Sequence, residues 1–354
     1  MSDQVVRVGI IGLGRISNAH IKGFKEAEGA EIAAVCDVDG DRMGRQIREH
    51  GLEDAFATTD HKELLALGQA DAVSLPLPDH LHHPFALDAI ASGKHVLCEK
   101  PLAMNAAQAE EMLQAAEAAG IVHAVHMQRR YEAPARYVAD LIAEGALGAL
   151  RHFRARMSVH RISDPDVKLE WRLQADRGCY GVLGDLGAHA LDLAHFTMGE
   201  AAGEMVAAAG IGAIFIEQRE LEGDRGEGEV TAWDAINFAT RYESGTLGSF
   251  QLSRFAPGYS EWEIDGQDAS VRVRGGGSGV EIYERRPRDD QIPASEYTER
   301  EIPEEYLDGR TLFDAFIGAI RGEEQVRPNF ADGLRVAREL DAIHEAAFVE
   351  EHHE

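Results

Sequence analysis

The chain has 354 residues, of which 44% are hydrophobic, and its 35 basic and 62 acidic side chains give a net charge of −27 at pH 7. The length favours two domains, and the acidity argues against nucleic acid or an anionic membrane as a partner. The sequence contains no signal segment and no apolar run of about 18 residues, and its three cysteines form no CxxC pair. We therefore expect a cytoplasmic protein without a membrane span, disulfides or a zinc site.

The first 127 residues alternate apolar runs with segments in which apolar residues recur every three or four positions, the spacing of a helix face. Predicted strands are Val5–Gly12, Ile32–Asp37, Ala55–Thr58, Ala70–Leu77, His95–Cys98 and Val122–Met127. Predicted helices are Ile16–Glu28, Asp41–His50, His61–Leu67, Pro84–Ser92 and Ala106–Ala119. Because strands and helices alternate and the strands are almost entirely apolar, we predict an α/β domain with a doubly wound parallel sheet.

The pattern changes after residue 127. Helical periodicity is found in Pro134–Glu144, Thr311–Arg321 and Ala331–Val349. Between them lie long alternating strands: Leu150–His160, Glu204–Glu217, Val230–Tyr242, Thr246–Phe255, Tyr259–Ile264, Ala269–Arg274 and Val280–Arg285. In Ile236–Tyr242 and Phe250–Ser253 every second residue is large and apolar. This period is typical of a sheet with one covered face. We predict an α+β domain over residues 128–354 with a large, open, mostly antiparallel sheet, whose C-terminal helices stay with it or pack back on the first domain.

The segment Gly12–Ser17 joins the first predicted strand to the first predicted helix and has the pattern GxGxxS. In such a segment Gly12 allows a tight turn, Gly14 lets the backbone approach a pyrophosphate, and the third position needs only a small side chain. A phosphate would lie at the helix N-terminus, on free N–H groups, so Arg15 and Ile16 join the predicted cofactor site. The context predicts a Rossmann domain that binds a dinucleotide.

Asp37 ends the second predicted strand, about 20 residues after the glycines, where an acid that binds the ribose 2′-hydroxyl is expected. The next residues, Val38 and Asp39, are not basic, so a 2′-phosphate would meet two carboxylates. The sequence therefore favours NAD over NADP as the cofactor. The alternative interpretation of Asp37 is a turn residue at the end of a strand.

Glu99, Lys100 and Pro101 follow the fifth predicted strand. Open α/β sheets bind ligands at the carboxyl ends of their strands, so we expect Lys100 to lie beside the nicotinamide. A lysine influenced by burial and neighbours can polarise a hydroxyl or a carbonyl there. Without this context, a lysine in a loop is usually a solvated surface residue.

Four motifs resemble those of the glucose–fructose oxidoreductase/inositol dehydrogenase (Gfo/Idh/MocA) family and together extend over essentially the whole chain. They are Gly12–Gly14 with His20, Leu77–His82, Gly93–Pro101, and Gly184–Asp192. The combination of Glu-Lys-Pro with Asp-x-x-x-His is the most specific part. The chain departs from the family pattern at Leu77 and Asp79, where Thr and Asn are common, and at Gly178–Gly181, which replaces the usual Gly-Gly pair.

The resemblance implies roles for individual residues. Lys100 would contact the reacting oxygen, and Asp185 and His189 would complete the acid–base set. The implied cofactor contacts in and around the nicotinamide cleft are Pro78, His82, Glu99 and Lys100. The Lys100–Pro101 peptide bond is often cis in this family.

Asp185, His189 and Asp192 are spaced so that all three would lie along one helix face. A carboxylate one turn from an imidazole can orient it and support its charged form, and histidine exchanges a proton near neutral pH. The alternative interpretation is a helix N-cap at Asp185 and an ordinary core histidine at 189. We predict His160 and Arg172 as further substrate contacts, although such residues are more often structural or exposed.

These observations predict an NAD-dependent dehydrogenase or reductase that transfers a hydride between nicotinamide and a secondary alcohol or carbonyl of a sugar or cyclic polyol. In this hypothesis His189 takes the hydroxyl proton, Lys100 stabilises the developing oxyanion, and Asp185 holds His189. Two alternatives are an NAD-assisted glycosidase that oxidises its sugar transiently and a non-catalytic NAD-binding regulator. Retention of all three polar residues argues against the regulator.

Three further expectations follow from composition and pattern. His80, His82 and His83 cluster and His352 and His353 lie next to the last residue, but no matching ligand set accompanies them, so no metal is predicted. An open sheet would expose an apolar face in a monomer, so we expect a homodimer or homotetramer. Six lysines beside 62 acidic residues favour a halophilic source, with the acidity of a GC-rich genome as the alternative.

Overall fold

The computed structural model describes residues 5–66, 68, 70–223, 225–275, 279–284 and 297–349. The chain forms two compact units. The first consists of the described parts of Met1–Gln128 and Arg310–Ala337, and the second of those of Arg129–Gly309 and Arg338–Glu354. A segment close to the C-terminus therefore belongs to the first unit.

A six-stranded parallel sheet forms the centre of the first unit. Its strands are β1 Val6–Ile11, β2 Ala30–Cys36, β3 Phe56–Thr58, β4 Ala72–Leu75, β5 His95–Cys98 and β6 His123–Val125. The spatial order is β3-β2-β1-β4-β5-β6, with every pair parallel. Most strand side chains are buried on both faces, which explains the nearly continuous apolar runs. The predicted doubly wound sheet is confirmed.

Within the described part of the first unit lie six whole helices: α1 Ser17–Glu26, α2 Gly40–His50, α3 His61–Ala66, α4 Asp79–Ala91, α5 Ala106–Ala119 and α8 Leu312–Ile320, numbered in chain order. Helix α8 begins with a reciprocal capping box between Thr311 and Asp314. Its Phe313 packs edge-on against Phe24 of α1, and a Cβ on Gly23 would lie 2.2 Å from the Phe313 ring. Gly23 therefore permits the close approach of α8 to α1.

The start of α4 differs from the prediction. The sequence pattern placed it at Pro84, but the helix begins at Asp79 and continues through the proline. The buried face of its first turns consists of Asp79 and His82, followed by Ala86 and Ile90. Hydrophobic periodicity does not detect a buried face made of polar residues.

The second unit is built around a nine-stranded sheet in the order β16-β15-β14-β13-β7-β12-β11-β8-β17. The strands are β7 Leu150–Ser158, β8 Met205–Ala213, β11 Ala235–Tyr242, β12 Leu247–Ser253, β13 Tyr259–Gly266, β14 Ala269–Arg274, β15 Gly279–Glu284, β16 Thr298–Glu301 and β17 Ala347–Val349. Two short strands, β9 Gln218–Glu220 and β10 Glu227–Glu229, form a separate hairpin. Pairing is antiparallel except at β7–β12 and β8–β17, so the predicted mostly antiparallel sheet is confirmed.

The remaining helices are α6 Ala133–Ala143, α7 Ala188–Met198 and α9 Phe330–Ala346, and α9 passes from the first unit into the second. The prediction of one helix over Ala331–Val349 is wrong at its end, because the last three residues form β17 beside β8. Phenylalanine and valine, two of the three residues in this segment, have strand propensity, and the edge of β8 offers unpaired backbone groups. Two predicted termini, Leu67 and Arg285, lie outside the described residues.

The two faces of the large sheet differ in composition. In β11 the residues Ile236, Phe238, Thr240 and Tyr242 are buried, while the alternating residues on the other face are exposed. On the outer face, β8 carries alanines and the exposed Ile211, and β11 carries Asn237, Ala239 and Arg241. Strands β7, β13 and β14 carry ion pairs there, such as Arg154–Glu263 and Arg272–Glu263. Among the described residues, we find no helix with the length and apolar character needed to cross a bilayer.

Candidate active site

The glycine turn after β1 has space for a phosphate group. Gly12 has φ +99°, and a Cβ there would lie 2.7 Å from the Leu77 side chain and 3.0 Å from the Pro76 carbonyl. A Cβ on Gly14 would meet no protein atom within 4 Å. The fold itself therefore requires Gly12, whereas the open space at Gly14 fits the close backbone approach that a pyrophosphate makes.

Helix α1 begins directly after this turn. Ser17 is fully buried and its hydroxyl donates to the Gly14 carbonyl at 2.6 Å, which explains why the third position of the motif is small. No side chain caps the first turn of α1, and Arg15 and Ile16 are exposed. N–H groups at a helix start can donate hydrogen bonds to a phosphate, so the two residues remain in the predicted cofactor site.

Asp37 is buried and is hydrogen-bonded to the backbone of the glycine turn. One carboxylate oxygen accepts the Leu13 N–H at 2.7 Å and the other accepts the Asp39 N–H at 2.8 Å. Sequence reasoning missed Arg42, whose guanidinium lies 3.5 Å from Asp37 and 3.1 Å from Asp39. The motif reading considered only the two residues after Asp37, whereas this cation comes from the first turn of α2.

Glu99 lies at the centre of a buried network at the carboxyl end of β5. Its Oε1 accepts from His20 at 2.9 Å and from His126 at 2.6 Å, and the other ring nitrogen of His20 contacts the Ser74 hydroxyl at 2.7 Å. Burial raises the pKa of Glu99, but the charges and hydrogen bonds of His126 and His20 outweigh it and hold the pKa well below its usual range. Its Oε2 accepts the Lys100 N–H at 3.0 Å, so the network fixes the peptide that carries Lys100.

The buried side chains of His20, Glu99 and His126 are the one group among the described residues with the composition of a metal site. Ligands around a zinc ion at about 2.0–2.1 Å would lie roughly 3.3 Å from one another. The observed separations of 2.6 and 2.9 Å from Glu99 are those of hydrogen bonds instead. The geometry therefore fits a hydrogen-bonded network and not a coordination shell.

Lys100 is half-buried and precedes a cis peptide bond to Pro101, as the family resemblance implied. The Pro101 carbonyl contacts Nδ1 of the fully buried His82 at 2.8 Å, and Nε2 of the same ring contacts the Leu77 carbonyl at 2.9 Å. His82 thus connects the segment after β4, where Pro78 caps α4, to the segment after β5. This geometry indicates that His82 shapes the predicted cofactor site through these two backbone segments.

In the second unit, Asp185 lies in a π-helical turn, Leu183–Gly187, that leads into α7. The shared helix face of Asp185, His189 and Asp192 stays a prediction, and the regular α-helix begins only at Ala188, after the wider turn that carries Asp185. The alternative of Asp185 as an N-cap is wrong, since Asp185 lies inside a helical segment whose N-cap position is Val182. π-Helical turns are frequent at functional sites.

A buried arginine, which sequence reasoning left out of the predicted site, faces Asp185. Arg254 follows β12, is 2% exposed, and donates to Asp185 at 3.4 Å and to the Arg172 carbonyl at 2.9 Å. The Asp185 side chain is 28% exposed, so it remains accessible from one side. The signal for Arg254 was its place at a strand end, which a pattern search cannot distinguish from an ordinary polar residue.

The other predicted polar residues have different surroundings. His189 is nearly buried on α7, whereas Asp192 is buried in an ion pair with Arg130 at 2.5–2.9 Å. Arg172 belongs to a short 3₁₀ helix and lies over the Trp171 ring at 4.0 Å. His160 is exposed, so its place in a substrate site stays a prediction. The second unit thus brings Asp185, Arg254 and the Arg172 backbone together.

Comparison with known proteins gives a consistent result. Residues 6–127 match the family model described as oxidoreductase family, NAD-binding Rossmann fold, and residues 135–272 match the GFO/IDH/MocA C-terminal domain. Levoglucosan dehydrogenase of Pseudarthrobacter phenanthrenivorans is 29% identical over 97% of this chain and 96% of its own. The 1,5-anhydro-D-fructose reductase of Ensifer adhaerens is 29% identical over 93% of this chain and 92% of its own. A solved structure of levoglucosan dehydrogenase in complex with NADH and levoglucosan matches with a TM-score of 0.86 and 26% identity over 97% of each chain.

Proposed function

The chain belongs to the Gfo/Idh/MocA family of NAD-binding oxidoreductases, and from that premise we propose that it oxidises or reduces a sugar or cyclic polyol at a secondary carbon. The observation that carries the proposal is the position of Lys100, directly after β5 at the ligand-binding edge of a sheet whose glycine turn fits a dinucleotide. Relatives named as a levoglucosan dehydrogenase and a 1,5-anhydro-D-fructose reductase support a sugar substrate.

In this proposal the first unit holds NAD and the second contributes the groups that recognise substrate. NAD, when bound, supplies the carbon that accepts or donates the hydride. The turn around Gly14 and the start of α1 hold the pyrophosphate, and Asp37 accepts hydrogen bonds from the adenosine ribose. Two carboxylates at that position disfavour a 2′-phosphate, although Arg42 compensates part of their charge.

In this proposal His189, Lys100 and Asp185 carry out the acid–base chemistry. His189 accepts the proton of the substrate hydroxyl as the carbon–hydrogen bond breaks, because imidazole exchanges protons near neutral pH. The Lys100 ammonium stabilises the negative charge that develops on the same oxygen. Asp185 supports the charged form of His189, and the buried Arg254 holds the Asp185 carboxylate in place through a 3.4 Å contact.

We propose a neutral substrate. Four basic residues of the second unit near the predicted contacts are each faced by a carboxylate: Arg254 by Asp185, Arg130 by Asp192, Arg161 by Glu170, and Lys168 by Glu220. Arg172 stacks on the Trp171 ring instead. At the four paired residues an anionic substrate would have to displace a carboxylate. A neutral sugar or polyol needs only the hydrogen bonds that such pairs and their neighbours offer.

Activity assays over a set of compounds test the proposal. NADH formation is measured for neutral sugars, cyclic polyols and sugar acids, at low salt and in molar KCl, with NADP tested in parallel. We expect NADH with at least one neutral compound, a preference for NAD, and loss of turnover in Lys100→Ala with NADH binding retained. Product without net NADH would support a glycosidase reaction, and absence of both NADH binding and turnover would contradict the proposal.

The composition of the chain and the outer face of the large sheet support a proposal about where the enzyme works and how it assembles. We propose a cytoplasmic homodimer or homotetramer from a high-salt organism, assembled through the outer face of the large sheet. The alanines of β8 and Ala239 of β11 allow a second sheet to approach closely there, and the neighbouring ion pairs provide charged groups of both signs. High salt would screen the net charge of −27.

A further inference from the structure

One tyrosine of the second unit has a backbone conformation that ordinarily favours glycine. Tyr180 has φ +50°, and in the part of the chain that the structure describes it is the one non-glycine residue with positive φ. In this region the Cβ of an L-residue crowds the following carbonyl oxygen. A bulky residue stays there only where its surroundings hold it, and such positions cluster at functional sites.

Contacts from α9 hold the side chain of Tyr180. Its hydroxyl donates to Asp341 Oδ1 at 2.8 Å, and its ring stacks on the imidazole of His344 with centroids 4.1 Å apart and an interplanar angle of 27°. His344 also packs against the Trp233 ring at 4.9 Å. Because Asp341 and His344 are three residues apart, they lie on the same face of α9 and both contact the Tyr180 side chain.

The backbone of Tyr180 lies just before the π-helical turn that carries Asp185 and is hydrogen-bonded to its first residue. The Tyr180 carbonyl accepts the Leu183 N–H at 3.3 Å, and the next carbonyl, of Gly181, accepts the Asp185 N–H at 3.0 Å. Gly181 has φ +62° and is packed so closely that a Cβ would lie 2.5 Å from the Trp233 backbone. A change of backbone conformation at Tyr180 would therefore move the turn and the carboxylate on it.

We propose that Tyr180, clamped by Asp341 and His344, is a positioning residue that sets the placement of Asp185 and His189 for proton transfer. The inference rests on the proposed function, because it assigns the clamp to the same reaction. Tyr180 acts through the π-helical turn and contacts no reacting atom in this account. Loosening the clamp should slow the chemical step while leaving NAD binding, which belongs to the first unit, nearly unchanged.

Variants on both sides of the clamp test the proposal. Tyr180→Phe removes the hydroxyl, Asp341→Ala removes its acceptor, and Asp341→Asn retains an acceptor oxygen. The control is Tyr306→Phe, which loses a similar tyrosine–aspartate hydrogen bond, of 2.7 Å to Asp140, in the same unit. The measurements are kcat for NADH formation, NADH affinity by fluorescence, thermal stability, and the imidazole NMR resonances of His189, assigned with the His189→Gln protein.

We expect Tyr180→Phe and Asp341→Ala to lower kcat about tenfold and to shift the His189 resonances, since small misplacements of catalytic groups cost one to two orders of magnitude. NADH affinity should stay within about twofold, because the dinucleotide site is unaltered. Asp341→Asn should restore both properties to near the wild-type values. Tyr306→Phe should change neither property.

A fall in thermal stability without any change in kcat or in the His189 resonances would show a purely structural clamp and overturn the proposal. If Tyr180→Phe does not fold, the two Asp341 variants decide the question. If the wild-type enzyme reduces no NAD with any sugar or polyol, the proposed function fails, and the His189 resonances alone then decide. Resonances that do not move in Asp341→Ala would in that case overturn the positioning role.

Discussion

Gly12 and Gly14 belong to one motif, but the fold requires glycine at 12 and the proposed phosphate contact requires it at 14. Alanine substitutions should therefore affect stability at Gly12 and NADH affinity at Gly14. A Cβ on Gly12 would clash with Leu77 at a positive φ, so Gly12→Ala should destabilise the fold. A Cβ on Gly14 meets no protein atom within 4 Å, so Gly14→Ala should keep its melting temperature within about 2 °C while NADH affinity falls at least tenfold. Melting curves and NADH titration check both. Normal NADH affinity in Gly14→Ala would contradict the proposed phosphate site.

Single site residues could be predicted where their role depends only on neighbouring sequence. Gly12, Asp37 and Lys100 are each defined by their distance from a strand end, and the structure places each of them at the strand end that the sequence indicated. Arg42, His126 and Arg254 were not predicted as site residues, because their importance depends on partners that the fold brings together. Even a highly specific motif does not identify the side chains from other segments that form ion pairs or hydrogen bonds with its residues.

At the level of elements, the buried network around Glu99 predicts a dependence of stability on pH. Burial lowers the pKa of His20, with the nearby His126 adding to the effect against the opposing Glu99 contact. Because the folded-state pKa of His20 lies below its unfolded value, the unfolded chain binds more protons. The contribution of His20 is thus fully present above about pH 6.5 and is lost as the pH falls below that value.

We expect His20 to account for a loss of up to about 1.4 kcal/mol of unfolding free energy per pH unit below pH 6.5. Glu99, whose pKa is also lowered, adds to this loss only below about pH 4.3. Unfolding measured between pH 7.5 and 5.0 should show a smaller slope in His20→Gln than in the wild type. His50, at the end of α2 and only half-buried, is replaced in the same way as the control. An unchanged slope in His20→Gln would refute this assignment.

Elements were predictable where one period dominated the sequence. Helix α5 and strand β5 have the predicted bounds, because their apolar residues follow the helix and strand patterns without interruption. The start of α4 was missed because its first buried residues are polar, and the π-helical turn was missed because a wider turn has no distinct hydrophobic signature. Strand β17 depends on the exposed edge of β8, which exists only in the folded unit.

For the whole molecule, the outer sheet face predicts how the chain assembles. Ala209 on β8 and Ala239 on β11 are exposed and pair across the two strands. Ala239→Glu would place a carboxylate in the proposed contact, so the assembly should dissociate to monomers by light scattering in molar KCl. Asn18→Glu, on the exposed surface of α1, is a control with the same added charge. Retention of the wild-type mass by Ala239→Glu would place the interface elsewhere.

The net charge predicts a response to salt for the whole molecule. At about 1 M salt the screening length is roughly 3 Å, so repulsion among the 62 acidic side chains should weaken strongly. We expect the melting temperature to rise by several degrees between 0.1 and 2 M KCl. An osmolyte without charge at equal osmolarity is the control. A melting temperature that does not change, or that falls, would argue against adaptation to high salt.

The central claim is that a hydride passes between a sugar carbon and NAD with the help of Lys100 and His189. The most direct measurement is a single turnover with a substrate that carries deuterium on every ring carbon, followed by mass analysis of the cofactor. The account predicts one deuterium in the reduced cofactor for the wild type, and transfer slowed by at least about a hundredfold in Lys100→Ala and His189→Gln. Unlabelled NADH, or label transfer at the wild-type rate in both variants, would contradict it.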